Sequence, residues 1–370
     1  MTWPRRVLHV VPDVAPSRGG PARSVRALVE AQRAAGHDAR LLAAHAEGPA
    51  TEPLELAGWL PGEVPSPRGA RRLARAIRGA DLVHIHSVWN GTSTLAAWLC
   101  RRLGVPYVVA PRGMLSERGL ASRRWRKAVY RATVDRRLLR GAAGLHFLSA
   151  DERDGAHGAP RSVPAVVAPN GVGPCPVVPD PAWYGAWRPA GTRGRPLALF
   201  LGRLDPIKGI ELQLEALAAL PRAGRPALAL VGPDFGVRLA LEREALRLGV
   251  AGDVWFLPPL FGPERFHALA FADAVVITSH YDCCPNVALE TVAAGGALVA
   301  TQGSGVSFLA DLGAALVLPR DVASLAPVMA GIRQSPELTA VRAETARARE
   351  ALAWPRIVEQ LAAFYAELAP

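Results

Sequence analysis

Two carboxylates eight residues apart, Asp282 and Glu290, stand in the segment Ser279-His-Tyr-Asp-Cys-Cys-Pro-Asn-Val-Ala-Leu-Glu-Thr291. The apolar run Ala274 to Thr278 before them reads as a buried parallel strand, and Val287 to Ala294 has helix-forming character. Asp282 then falls in the loop at a strand's carboxyl end, and Glu290 about one turn into the helix that follows. Open α/β sheets bind ligands at that edge, so the pair reads as a ligand grip. A solvated loop acid followed by an acid favoured by a helix dipole is the plain alternative.

Upstream, Phe200-Leu-Gly-Arg-Leu-Asp-Pro-Ile-Lys-Gly209 places Arg203 and Lys208 in a loop bounded by Gly202 and Gly209, leading into a helix from about Ile210. Two cations beside a helix N-terminus suit a diphosphate, whose charge they counter without requiring a metal. A basic surface loop would look the same in isolation. The chain contains no Asp-x-Asp, so nothing in it points to a dedicated metal.

The first half carries further candidates. Pro16-Ser-Arg-Gly-Gly-Pro-Ala-Arg-Ser24 follows the opening strand, with Pro21 suited to the first position of a helix and with Gly19 and Gly20 permitting close approach of a ligand. A simple strand-to-helix turn accounts for the same residues. In Leu82-Val-His-Ile-His-Ser-Val-Trp89, alternation puts His84 and His86 on one face of a strand. The spacing shows no third ligand for a metal. His86 is therefore a candidate site-lining residue, with a hydrogen-bonded interior histidine as the alternative. Arg112, in Pro106-Tyr-Val-Val-Ala-Pro-Arg-Gly-Met-Leu115, cannot serve as a base near neutral pH, which leaves electrostatic or hydrogen-bonding roles. Ser122 to Arg140 reads as a basic helix with Trp125, Val129, Ala132 and Leu139 at apolar spacing; it suits an anionic membrane or a lipid diphosphate, or is a solvated face.

Positioning these groups takes strands. Short Val/Leu/Ile-rich runs at 7–11, 39–43, 81–86, 107–110, 144–148 and 163–168 alternate with helical patterns, as do runs at 197–202, 227–232, 254–257, 274–278, 297–301 and 315–318. This rhythm predicts an α/β chain of two tandem, Rossmann-like, doubly wound sheets. The rhythm breaks between Pro174 and Pro196, which reads as a linker. A helical stretch from Pro336 to Leu352 precedes an amphipathic tail with Ile357, Val358, Leu361, Phe364 and Leu368 on one side.

Size and composition agree. A chain of 370 residues exceeds one ordinary core, and with 50% hydrophobic and 20% charged residues it is not largely disordered. The net charge of +11 calls for an anionic partner: a nucleotide diphosphate, a lipid phosphate, an acidic membrane face or nucleic acid. Cys100, Cys175, Cys283 and Cys284 form no Cys-x-x-Cys pair, which supports neither zinc nor a disulfide framework and fits a reducing cytoplasm. Val7 to Val11 is stopped by Pro12 and Asp13, far short of a signal-peptide core, and no apolar stretch approaches the roughly 20 residues of a membrane span.

Taken in order, the Gly-Gly loop, the histidine strand, Pro-Arg-Gly-Met-Leu, the turn Asn170-Gly-Val172, Gly-Arg-Leu-x-x-x-Lys-Gly and the acid pair resemble the retaining glycosyltransferases of family four, also called group 1. The resemblance implies a GT-B architecture: an acceptor-side domain over 1–175, a nucleotide-sugar domain over 176–354, and a helix at 355–370 returning to the first. It implies transfer from a nucleoside diphosphate sugar to a saccharide or lipid-linked saccharide, with retention and without a metal, in cell-surface polysaccharide assembly. Arg203, Lys208, Asp282 and Arg112 would act on the reacting groups, Asp282 standing where the family usually has Glu and Arg112 where it usually has His. Glu290 would hold the ribose, with Gly19, Gly20, Gly202, Cys284, Pro285, Asn286, Val287 and His86 completing the donor site. The location implied is cytoplasmic, peripheral to the plasma membrane, with no nucleic-acid partner. A sugar-nucleotide epimerase of the same architecture, or a basic membrane- or nucleic-acid-binding protein, are the competing functions.

Overall fold

A computed structural model describes residues 6–13, 20–45, 51–57, 63–117 and 136–368. The chain divides into two compact units, Met1–Gly171 with Ala353–Pro370, and Val172–Leu352. Each is built on one parallel sheet.

In the first unit the strands are β1 (Arg6–Asp13), β2 (Asp38–His45), β3 (Glu52–Pro53), β4 (Leu82–His86), β5 (Tyr107–Ala110), β6 (Gly144–Phe147) and β7 (Ala165–Val167). They are ordered β3-β2-β1-β4-β5-β6-β7, and β4, β5 and β6 are buried throughout. A parallel strand covered on both faces must be apolar along its whole length, which is why these runs are continuous rather than alternating. Pro67–Arg78 and Gly91–Leu103 are neighbouring helices. Each starts where a side chain caps the first turn: Ser66 Oγ accepts from Gly69 N at 3.1 Å, and Asn90 Oδ1 from Ser93 N at 2.8 Å. The helix Gly20–Ala34 packs beside the tail helix Trp354–Leu368. Ile357, Val358, Leu361, Phe364 and Tyr365 of the tail are buried against Val7, Leu28, Leu82 and Val108. Burying five large side chains contributes on the order of 10 kcal/mol gross, before chain entropy is subtracted.

The second unit contains β8 (Leu197–Leu201), β9 (Ala227–Val231), β10 (Val254–Leu257), β11 (Ala274–Ile277), β12 (Leu298–Thr301) and β13 (Leu316–Leu318), ordered β10-β9-β8-β11-β12-β13. In both sheets the direction of winding reverses once, between β1 and β4 and between β8 and β11. Such switch points open a crevice at the strands' carboxyl ends.

The stretch 174–196 is not a linker, contrary to the sequence expectation. It belongs to the second unit and contains a helix, Pro181–Trp187, capped by Asp180. Trp183 packs on His267 at 4.9 Å between ring centroids, and the buried Tyr184 on Phe271 at 5.7 Å. Density of Pro, Gly and Trp hid a helix of seven residues, too short to display a period. Of the basic segment 122–140, only the short helix Arg136–Arg140 is described; the remainder lies outside the described residues.

Candidate functional site

In the second unit the side chains meet at the switch point. The chain leaves β8 at Gly202, whose N–H donates to Val231 O at 2.9 Å, and runs beside the loop after β9, with Leu204 N donating to Pro233 O at 2.9 Å. Only glycine fits at Gly232, which has φ 154° and where a Cβ would strike the carbonyl oxygen of Gly202. Asp205 caps the 3-10 turn Pro206–Lys208 by accepting from Ile207 N at 3.0 Å. Gly209 then takes a left-handed φ of 58°, its carbonyl accepting from Thr278 Oγ1 at 2.9 Å. With His280 N donating to Ile207 O at 2.8 Å, the loops after β8 and β11 are stitched together.

That stitching joins two of the expected residues. Lys208 Nζ donates to Asp282 Oδ2 at 2.6 Å, the two side chains being 18% and 19% exposed. Asp282 Oδ1 also accepts from Cys283 N at 2.9 Å. Arg203 does not join them: it is 42% exposed, lies 3.8 Å from Asp205 Oδ2, and places its guanidinium 4.9 Å from the centre of the exposed Phe235 ring. Pro285 precedes the helix Asn286–Ala294, of which Val287 is the second residue, and Cys284 is buried just before it. Glu290 lies one turn into this helix, and its Oε1 accepts from Arg265 Nη2 at 2.9 Å, each side chain 14% exposed. Arg265 also donates to Gly262 O at 2.6 Å and lies 4.8 Å over the Phe266 ring.

Sequence reasoning missed Arg265, and likewise Arg320, which reaches Thr278 O at 3.4 Å and stands 3.1 Å from His280 Nε2; that nitrogen is 2.9 Å from Glu211 Oε1. Both arginines come from distant elements, and no local spacing signals them.

In the first unit, Gly19 lies outside the described residues and Gly20 opens the helix Gly20–Ala34. His86 is fully buried, as β4 is central in the sheet; it reaches the strand-end region through Arg112, whose Nε donates to His86 Nδ1 at 3.2 Å. Arg112 is 9% exposed, has φ 52°, and donates through Nη1 to Ser24 Oγ at 3.1 Å. A side-chain-bearing residue in left-handed backbone is strained and must be held there. Ser87 and Trp89, after β4, share this feature with φ 75° and 62°.

The third imidazole that the sequence did not show is supplied by His9 of β1, and a fourth by His146 of β6. His9, His84 and His86 offer ring nitrogens within 4.8 Å of one another. All four rings are buried and hydrogen-bonded: His86 Nε2 to His9 Nδ1 at 2.9 Å, His9 Nε2 to Gln32 Oε1 at 2.7 Å, His84 Nε2 to His146 Nδ1 at 3.3 Å, His146 Nε2 to Ala168 O at 2.8 Å and Tyr365 O–H to His84 Nδ1 at 2.6 Å. Burial drives their pKa values down, that of His9 to about 3 and that of His146 to about 4, with those of His84 and His86 also well below the ordinary value; the Arg112 charge adds to the effect. A cation would have to displace these bonds beside a guanidinium, so the cluster suits hydrogen bonding better than metal ligation.

Sequence comparison meets this geometry from both halves. Residues 19–171 match the glycosyl transferase 4-like domain family, and residues 195–334 match the glycosyl transferases group 1 family. A D-inositol 3-phosphate glycosyltransferase from Frankia alni is 32% identical over 279 residues, covering 69% of this chain and 66% of that protein. Like-named enzymes from Saccharomonospora viridis and Geodermatophilus obscurus match over 42% and 39% of their own lengths. In fold, the chain is similar to HepE of Anabaena, solved in complex with UDP-glucose, with a TM-score of 0.75 at 20% identity over 98% of this chain and 99% of that one. It is equally similar to sucrose-phosphate synthase from Thermosynechococcus elongatus, with a TM-score of 0.75 at 20% identity, covering 98% and 99% of the two chains. Both halves therefore carry the signature of one family on its two parallel-sheet α/β domains of GT-B type, and the chain belongs to the group 1 glycosyltransferases.

Proposed function

We propose that the protein transfers a glycosyl group from a nucleoside diphosphate sugar, with retention at the anomeric carbon and without a resident metal. The observation that carries this reading is the ion pair of Lys208 with Asp282 at the β8/β11 switch point, beside the helix that bears Glu290. Lys208 and Arg203 meet the diphosphate oxygens and stabilise the charge that develops on the leaving group, as preorganised donors do. Asp282 accepts from a hydroxyl of the transferred sugar. Glu290 accepts from the ribose while Arg265 holds its other side. On the first unit, Arg112 supplies a fixed cation at the acceptor or donor-sugar end; the acceptor is a saccharide or lipid-linked saccharide of cell-surface polysaccharide assembly. The similarity to D-inositol 3-phosphate glycosyltransferases and to a structure holding UDP-glucose supports a sugar-nucleotide donor.

The test is turnover of a nucleotide sugar by Lys208→Met. Its expected loss is about 100-fold or more, the size of losing one oxyanion donor. Near-normal release of nucleoside diphosphate by a folded variant would sink the assignment, and an epimerised nucleotide sugar would point to the competing enzyme class.

A cytoplasmic, membrane-peripheral location completes this reading. No helix among the described residues is long and apolar enough to cross a membrane. Helices Pro67–Arg78 and Gly91–Leu103 contain no carboxylate and expose Arg68, Arg71, Arg75, Arg78, Arg101 and Arg102, the last with its guanidinium 5.9 Å from the ring centre of Trp98, itself 56% exposed. Such a surface suits anionic lipid headgroups, each arginine contributing about 1 kcal/mol. Vesicles containing phosphatidylserine should sediment the protein at low salt. Equal sedimentation with purely zwitterionic vesicles would exclude the charge-based account.

A further inference from the structure

The buried histidines form two hydrogen-bonded chains, one ending at Gln32 and the other at Tyr365, which itself lies against Gln32, and the groups at their ends dictate which way every hydrogen bond points. A carbonyl oxygen only accepts, so His146 carries its proton on Nε2, facing Ala168 O at 2.8 Å. In a neutral ring its Nδ1 is then an acceptor. His84 therefore donates through Nε2 and accepts at Nδ1 from the Tyr365 hydroxyl. The second chain starts from a group that only donates. Arg112 Nε–H requires a lone pair on His86 Nδ1, which puts the His86 proton on Nε2, aimed at His9 Nδ1 2.9 Å away. His9 must then donate through Nε2 to Gln32 Oε1 at 2.7 Å. All four rings are thus the same neutral tautomer.

The Arg112 chain is not a path for protons. Its first member never deprotonates and its last is an amide, so neither end exchanges a proton. What it delivers is an acceptor in a fixed place. The backbone of the turn is braced as well: Glu152, 3% exposed, accepts from Gly113 N at 2.5 Å and from Leu148 N at 2.6 Å. With the main chain clamped behind it and acceptors on Nε and Nη1, the guanidinium is held at both ends before any ligand arrives. An unrestrained arginine loses about 2 kcal/mol of rotamer entropy on being immobilised. One already fixed spends less of its binding energy on ordering.

We infer that His86, His9 and Gln32 are positioning residues for Arg112, a polarity-fixed relay of orientation that presents its guanidinium to an anionic or sugar oxygen of the transfer reaction. The inference rests on the proposal that Arg112 belongs to the transfer site. Gln32 is the residue to change, because its oxygen accepts the last proton of the chain whose direction Arg112 imposes. In Gln32→Leu the His9 proton loses its acceptor, and the relief open to the chain is reversal, which turns an N–H of His86 toward the N–H of Arg112. Gln32→Glu keeps an acceptor in place.

Two measurements decide the matter. Nitrogen-15 spectra of histidine and arginine side chains in the full chain should show His9 and His86 protonated on Nε2, with a slowly exchanging Arg112 Nε–H. That arginine signal should be lost in Gln32→Leu and kept in Gln32→Glu. In parallel, with UDP-glucose as probe, Gln32→Leu should lower the turnover number about 10-fold to 100-fold, as misplacement of a reacting group does, with nucleotide affinity within about twofold of wild type and Gln32→Glu recovering most of the loss. A proton on Nδ1 of His86 in the wild type, or a Gln32→Leu protein with an unaltered Arg112 signal or undiminished turnover, would overturn the inference. If wild-type protein neither binds nor turns over nucleotide sugars while the tautomers and the Arg112 signal behave as stated, the transferase reading fails and the positioning chain stands.

Discussion

At the scale of single residues, the second unit keeps its charged groups in pairs: Lys208 with Asp282, and Arg265 with Glu290. Partly buried pairs of this kind contribute modestly to stability, yet removing one partner is expensive because the other is left behind. Glu290→Gln and Arg265→Leu should therefore both weaken nucleotide binding, each by about 10-fold, which is about 1.4 kcal/mol. Calorimetric titration with UDP checks this, and wild-type affinity for both variants would remove Glu290 from the ribose. The loop and helix positions of Asp282, Glu290 and Lys208 could be read from sequence because the residues of each loop are contiguous. Arg265, Arg320 and the partnership of His9 with His86 could not, since they come from elements 25, 40 and 77 positions away from their partners. Only the sheet order brings them together. For His86 the sequence showed the face it shares with His84, but not that β4 is central and its ring fully buried behind Arg112.

At the scale of elements, nearly every strand was legible, because a doubly covered parallel strand announces itself as an uninterrupted apolar run. The two-residue β3 and the helix Pro181–Trp187 were not, being too short to carry a pattern. What the runs do not reveal is how tightly the loops after them are packed. The loops following β8 and β9 touch backbone to backbone at Gly202 and Gly232. Gly232→Ala should destabilise the second unit by about 3 kcal/mol or more, through steric collision and unfavourable φ together. Urea unfolding followed by nucleotide protection would register this; an unchanged midpoint would show that the loops separate without penalty.

At the scale of the whole molecule, acid should act first on the first unit. Its buried imidazoles stay neutral when folded, His9 to about pH 3 and His146 to about pH 4, whereas in the unfolded chain they protonate near 6.5. The unfolded state then binds more protons below that value, so the stability is fully present above about pH 6.5 and is lost as the pH falls toward 4 and 3. At pH 5 His9 alone accounts for about 2 kcal/mol. Melting scans between pH 8 and pH 5 should show the transition of the unit containing residues 6–13 shifting down, and a flat profile would contradict neutral histidines.

The tail helix Trp354–Leu368 has a bearing on how the protein is made. It closes one face of the first sheet and supplies the hydroxyl that ends the His84 chain. As the polypeptide emerges from the ribosome, the unit begun earliest must wait, one apolar flank uncovered, until the last turn of helix has been synthesised. The later unit, Val172–Leu352, is contiguous and can close first. Birth order and completion order are thus opposite, and shielding of the exposed flank by chaperones would matter most during that interval.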